Sequence, residues 1–153
     1  MRIAMGADHA GFELKEAVKS RLEAAGHEVD DVGTHSSEST DYPPFAAEAA
    51  TLVAEGRADR GVIVCGSGNG VAIVANKVPG IRAVNAHDVA EAEMARRHND
   101  INVVTLSGAR LAPDEAGRIV DEFLSEDFEG GRHERRVGEI TTVERAAAER
   151  ATS

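Results

Sequence analysis

A chain of 153 residues, 42% of them hydrophobic and 29% charged, is long enough to bury one core and too short for several domains. A net charge of −10 and an aromatic content of 3%, without tryptophan, argue against nucleic-acid binding, which needs a basic surface and stacking platforms. One cysteine excludes an internal disulfide framework, and no apolar run suits a membrane span or a signal peptide, so we expect a soluble cytoplasmic protein.

Strands and helices alternate along most of the chain. In chain order the pattern predicts a strand at 2–5, a helix at 12–25, a strand at 28–32, a helix at 45–54, a strand at 61–65, a helix at 70–77, a strand at 82–85, a helix at 88–97, a strand at 102–106 and a helix at 113–125. The 61–65 run is apolar and β-branched, which is typical of a central parallel strand. Five strand–helix units therefore predict a Rossmann-like three-layer α/β/α sandwich with a five-stranded, mainly parallel sheet.

The last segment, 129–150, belongs to no strand–helix unit and predicts an appended C-terminal helix, with 151–153 as a loose tail of a single domain spanning 1–150. Its narrow apolar stripe consists of Val137, Ile140, Val143 and Ala147. Such a stripe favours packing on a partner subunit, and the alternative is packing on its own domain.

A glycine-rich loop follows the central predicted strand, at the sheet edge where ligands of open α/β folds bind. In Cys65–Gly70, three alternating glycines let the backbone turn sharply and direct several amides at one anion. The alternative is a tight turn with no ligand. Val71 replaces the glycine that a dinucleotide fingerprint needs, and Gly6–Gly11 lacks the Lys-Ser/Thr of a P-loop, so nucleotide cofactors are not expected.

Cys65 is the candidate nucleophile or base. It stands at the end of a buried strand and just before a helix, where the helix dipole and free amides favour the thiolate. The alternative is a small buried hydrophobic residue.

Charged side chains elsewhere suggest an anionic ligand and no metal. The six histidines have no metal-ligand spacing. His9 and His98 stand where an imidazole can stay partly exposed and titrate. Arg132 and Arg136, four residues apart on the last helix, can grip a phosphate together, with Arg110 as a third donor. Pairing of these arginines with nearby glutamates is the alternative.

Several segments of the chain resemble ribose-5-phosphate isomerase type B, in the ribose/galactose isomerase family, and they follow one another in the same order as in that family. The segments that carry the resemblance are 6–11, 40–43, 65–70, 75–77, 80–82, 97–100 and 130–133. The resemblance implies interconversion of ribose 5-phosphate and ribulose 5-phosphate without a metal or organic cofactor. It also implies a homodimer or a dimer of dimers whose active sites are shared between subunits. Val71 stands where one branch of the family has a glutamate, which assigns the chain to the cysteine branch.

The resemblance further implies a role for each matching residue. Cys65 corresponds to the base that moves a proton between C2 and C1, and His98 to the residue that assists ring opening. Asp8, aided by Ser67, would contact the sugar near its ring oxygen. The cis-enediolate would be held by the backbone amides of Gly66, Ser67, Gly68, Asn69 and Gly70.

Phosphate and lining contacts complete the implied site. The phosphate contacts would be His9, Arg110, Arg132 and Arg136, and the lining residues Tyr42 and Asn99. The neighbouring subunit would supply His98, Asn99 and Arg110.

Three other functions remain open from the sequence. An isomerase of another phosphosugar, such as allose 6-phosphate, galactose 6-phosphate or a tetrulose phosphate, would use the same enediol chemistry; the His98–Asn99 pair favours a pentose phosphate. A low-molecular-weight phosphatase needs an arginine where Val71 stands. A sugar-phosphate-binding module without catalysis is the third.

Overall fold

Five parallel strands form one sheet in a computed structural model that describes all 153 residues. The strands are β1 (Arg2–Ala7), β2 (Glu28–Asp31), β3 (Arg60–Cys65), β4 (Ala83–Asn85) and β5 (Val103–Ser107). Their order in the sheet is β2-β1-β3-β5-β4, so β3 is central, as its apolar sequence predicts. Cys65 lies opposite Ser107 and Val64 opposite Ala7, which aligns the carboxyl ends of β1, β3 and β5.

Helices cover both faces of the sheet. They are α1 (Phe12–Ala24), α2 (Tyr42–Ala54), α3 (Asn69–Ala75), α4 (Val89–Asn99), α5 (Pro113–Ser125) and α6 (Arg132–Thr152). Buried side chains of α1, α4 and α5 form the core on one face, and those of α2 and α3 form the core on the other. The predicted three-layer α/β/α sandwich with an appended C-terminal helix is therefore confirmed. No helix has both the length and the apolar character needed to cross a membrane.

The connection that leaves β1 runs to β2 on one side of the sheet, whereas the connection that leaves its neighbour β3 runs past β5 to β4 on the other side. Such a reversal opens a crevice outside the carboxyl ends of β1 and β3, because their connections diverge there. The segments that follow β1 and β3 are Asp8–Gly11 and the glycine loop, so the topology brings two predicted site segments together.

Helix α2 begins three residues before the start predicted from the sequence, at Tyr42 rather than Phe45. Pro43 and Pro44 lie in its first turn, where backbone N–H groups have no intrahelical acceptor and proline is tolerated. The earlier start fixes Tyr42 at the edge of the crevice.

Helix α6 begins later and ends later than predicted. Gly130 and Gly131 have φ of 72° and 57°, so the helix cannot include them and starts at Arg132. Ala151 and Thr152 continue the helix instead of forming a loose tail, since no helix-breaking residue precedes them.

Candidate active site

The carboxyl edge of the sheet gathers the residues that follow β1, β3 and β5. Asp8 is 7% exposed and its Oδ1 accepts a hydrogen bond from Gly11 N at 3.0 Å, which closes the turn after β1. A Cβ atom on Gly11 would lie only 2.5 Å from Val64 O, and one on Gly108 only 2.6 Å from Ala10 O, so neither position has room for a side chain. The three loops are therefore in close main-chain contact around Cys65.

The sulfur of Cys65 accepts a hydrogen bond from Gly68 N at 3.2 Å. A main-chain donor directed at sulfur supports negative charge there. Cys65 itself is 4% exposed, whereas Ser67 and Asn69 of the same loop are exposed to solvent. The sulfur thus lies just beneath a solvent-facing loop.

Several amides of the glycine loop are free to bind an anion. Those of Gly66, Ser67 and Gly70 have no intramolecular acceptor, and Asn69 N donates only to Ser67 Oγ, at 3.1 Å. Together with the sulfur this loop offers a proton acceptor beside a set of main-chain donors, which is the arrangement needed to stabilise charge developing on oxygen.

Tyr42 packs directly on the glycine loop. A Cβ on Gly70 would lie 2.5 Å from Tyr42 Cζ, so glycine is required for the ring to sit there. His9 is exposed beside it, with Nδ1 3.1 Å from the main-chain O and N of Thr40, two residues before Tyr42. Arg110 is exposed after β5, and its amide donates to Ser107 Oγ at 3.2 Å.

The remaining predicted site residues lie at the opposite edge of the sheet. They are His98, Asn99, Arg132 and Arg136. Helix α4 returns the chain to the start of β5, where Arg82 Nε, just before β4, donates to Asp100 O at 2.8 Å. A five-residue strand spans about 16 Å, so His98 of one chain cannot reach Cys65 of the same chain.

His98 and His133 form a stacked pair, with ring centroids 4.1 Å apart and an interplanar angle of 10°. Glu129 lies beside both rings, 3.6 Å from His98 Nε2 and 3.9 Å from His133 Nε2. Burial, and then the neighbouring His98 and Arg132, lower the pKa of His133 below its ordinary value.

Sequence reasoning missed His133 and Glu129 as members of this cluster. The i, i+4 spacing of Glu129 and His133 is visible in the sequence, but their contact with His98 joins α4 to the first turn of α6 and to the segment just before it. Their ligand atoms and that of His98 lie within 4.8 Å of one another. Parallel rings direct their lone pairs side by side rather than at one point, so the geometry is not that of a tetrahedral metal centre.

Known proteins match the chain over nearly its whole length. The family model described as Ribose/Galactose Isomerase matches residues 3–140. Ribose-5-phosphate isomerase B of Escherichia coli is 46% identical, over 94% of this chain and 96% of that protein.

Solved structures agree with that match. Ribose-5-phosphate isomerase B of Clostridium thermocellum has a TM-score of 0.95 at 45% identity and covers 96% of this chain and 99% of its own. The Mycoplasma genitalium enzyme, solved with bound ribulose-5-phosphate, has a TM-score of 0.90 at 37% identity and covers 94% and 96%. The family predicted from the motifs is confirmed: the chain belongs to the ribose/galactose isomerase family.

Proposed function

We propose that the protein interconverts D-ribose 5-phosphate and D-ribulose 5-phosphate. The observation that carries the proposal is the Cys65 loop, in which a sulfur and unpaired amides lie side by side at the ligand-binding edge of the sheet. The ribulose-5-phosphate bound to the Mycoplasma genitalium relative supports the choice of ligand.

The proposed reaction is a proton transfer through a cis-enediolate. Cys65 removes the proton from C2 of the open-chain aldose and returns it to C1. The hydroxyl proton on O2 passes to O1, so that the C2 hydroxyl becomes a carbonyl and the C1 aldehyde becomes a hydroxyl. The loop amides stabilise the negative charge on oxygen between the two transfers. His98 assists ring opening, and Asp8 with Ser67 holds the sugar near its ring oxygen. No metal or organic cofactor takes part.

The proposed active site combines two copies of the chain. His98, Asn99, Arg132 and Arg136 lie at the opposite edge from Cys65, so a second subunit would supply them. His9 and Arg110, which lie at the Cys65 edge of their own chain, would meet those arginines at the phosphate. That Arg110 comes from the neighbouring subunit, as the resemblance implies, stays a prediction.

An uncovered apolar surface supports a homodimer or a dimer of dimers. Ile140 and Val143 of α6 are 47% and 70% exposed. They border a groove of about 820 Å³ that also reaches Ile81, Asn99 and Ile101. A second copy seated there would bury this surface next to Asn99. A reducing cytoplasm suits the protein, because the base must remain a free thiol.

A panel of phosphosugars tests the assignment. We expect kcat/KM for ribose 5-phosphate to exceed that for four-carbon and six-carbon phosphosugars by about tenfold or more, because the phosphate and the reacting carbons must both be reached. Isomerisation can be followed by NMR in deuterated water. A higher kcat/KM for a tetrose or hexose phosphate would assign the protein to a sister activity, and binding without turnover of any sugar would leave a binding module.

A further inference from the structure

We infer that Asn85, Thr105 and Ser107 are positioning residues that hold the glycine loop in its anion-binding arrangement. The inference rests on the proposed function, because it concerns the same loop. These side chains come from β4 and β5, behind the loop.

The carbonyl oxygens of three consecutive loop residues each accept a hydrogen bond from one of these side chains. The bonds are Ser107 Oγ to Gly66 O at 2.6 Å, Asn85 Nδ2 to Ser67 O at 3.1 Å and Thr105 Oγ1 to Gly68 O at 2.8 Å. The preceding carbonyl, that of Cys65, accepts from Gly108 N at 2.8 Å. All four carbonyls are thus held on the side of β4 and β5.

Fixing these carbonyls fixes the amides that follow them. In a planar trans peptide, the carbonyl of one residue and the amide of the next point in opposite directions. The Ser67 carbonyl is held by Asn85, so the Gly68 amide points to the other side, where it meets Cys65 Sγ at 3.2 Å. By the same relation Ser107, together with the Ala109 amide that also donates to Gly66 O at 3.1 Å, directs the Ser67 amide away from β5. Thr105 directs the Asn69 amide the same way.

The contact of Asn85 with Gly68 leaves little freedom for the loop. Asn85 Oδ1 is buried without a donor, and a Cβ on Gly68 would overlap it. Asn85 Nδ2 also donates to Asn69 Oδ1 at 2.8 Å. Gly68 has a φ of 79°, which also favours glycine. A buried amide oxygen left unpaired is rare, and here it accompanies the close approach of the loop to β4.

Thr105 gives the sharpest test, because valine matches its shape and lacks only the hydroxyl. We expect Thr105→Val to lower kcat by about tenfold with KM nearly unchanged, since a misdirected amide affects the enediolate more than the bound sugar. Thr105→Ser keeps the hydroxyl and should restore kcat. Thr51→Val is the matched control: Thr51 Oγ1 donates to Ala47 O at 2.7 Å within α2 and should not affect turnover.

Amide chemical shifts in the free protein separate this inference from the proposed function. Thr105→Val should shift the Asn69 amide resonance, and Thr51→Val should not. Ser107→Ala provides a second variant, expected to shift the Ser67 amide. Unmoved loop amides, or a kcat for Thr105→Val equal to that of Thr51→Val, would overturn the positioning role. If the native protein turns over no phosphosugar while the loop amides still move, the proposed function fails and the positioning role stands.

Discussion

Cys65 is the one side chain that acts as the base in the proposed reaction. Its sulfur ends the central strand, beneath an exposed loop, and receives a hydrogen bond from the Gly68 amide. No histidine or carboxylate forms a hydrogen bond with that sulfur. A single substitution therefore removes the base without removing the donors around it.

Cys65→Ala should abolish exchange of the C2 proton while leaving sugar binding intact. We expect kcat to fall on the order of 10³-fold, the contribution of a positioned base, and the affinity for ribose 5-phosphate to change by less than about threefold. Deuterium incorporation measures the first quantity and calorimetric titration the second. Native-like turnover in this variant would rule out the sulfur as the base.

At the scale of elements, a buried ion pair ties α1 to β2 and to the loop that leads to Tyr42. Lys15 is fully buried, and its Nζ lies 2.5 Å from Asp31 Oδ2 and 2.9 Å from Glu16 Oε1. The other oxygen of Asp31 accepts from Gly33 N at 2.9 Å, and Gly33 O accepts from Ala7 N at 2.8 Å. The pair thus fixes the beginning of the loop that leads to Tyr42.

Asp31→Asn should destabilise the fold by about 3 kcal/mol, because it leaves the buried Lys15 charge with only an exposed partner. The matched control is Asp30→Asn, which loses a half-exposed contact 3.7 Å from Arg2 and should cost less than about 0.5 kcal/mol. Urea unfolding at pH 7 measures both. Equal losses in the two variants would contradict the role given to the pair.

The same pair predicts a dependence on acid. Burial raises the pKa of Asp31, but hydrogen bonds from Lys15 and the Gly33 amide and the charge of Lys15 outweigh it, so the pKa is lowered. A lowered folded pKa contributes stability above the ordinary value of 3.8 that is lost as the pH falls through the folded value. The difference in unfolding free energy between the native protein and Asp31→Asn should therefore shrink as the pH is lowered from 3.8 through the folded pKa of Asp31.

At the scale of the whole molecule, the two halves of the proposed site lie on opposite edges of one sheet. If two copies combine them, a Cys65→Ala subunit paired with a His98→Ala subunit contains one intact site and one doubly altered site. Each variant alone should be nearly inactive. Their co-refolded mixture should recover about a quarter of the native rate, since half the dimers are mixed and each holds one working site. A mixture no more active than its components would contradict an active site shared between two subunits.

The elements with the clearest sequence signals are predicted best. Helix α5 begins at Pro113 and ends at Ser125 as expected, because proline marks the first turn and the apolar spacing is regular. The central position of β3 follows from its uninterrupted apolar run. The predicted start of α2 is wrong by three residues, because Pro43 and Pro44 are as typical of a loop as of the first turn of a helix. The ends of α6 depend on backbone angles at Gly130 and Gly131, which composition alone does not determine.

The sequence by itself determined the α/β alternation, the family and the residues at the strand ends, since each depends on local periodicity or on a contiguous motif. Only the tertiary structure decided that His98 and Arg132 lie far from Cys65, that His133 stacks on His98, and that Asn85 and Thr105 hold the glycine loop. These contacts join residues that are distant along the chain. They depend on strand order and on the direction in which α4 returns, and neither is encoded in any single segment.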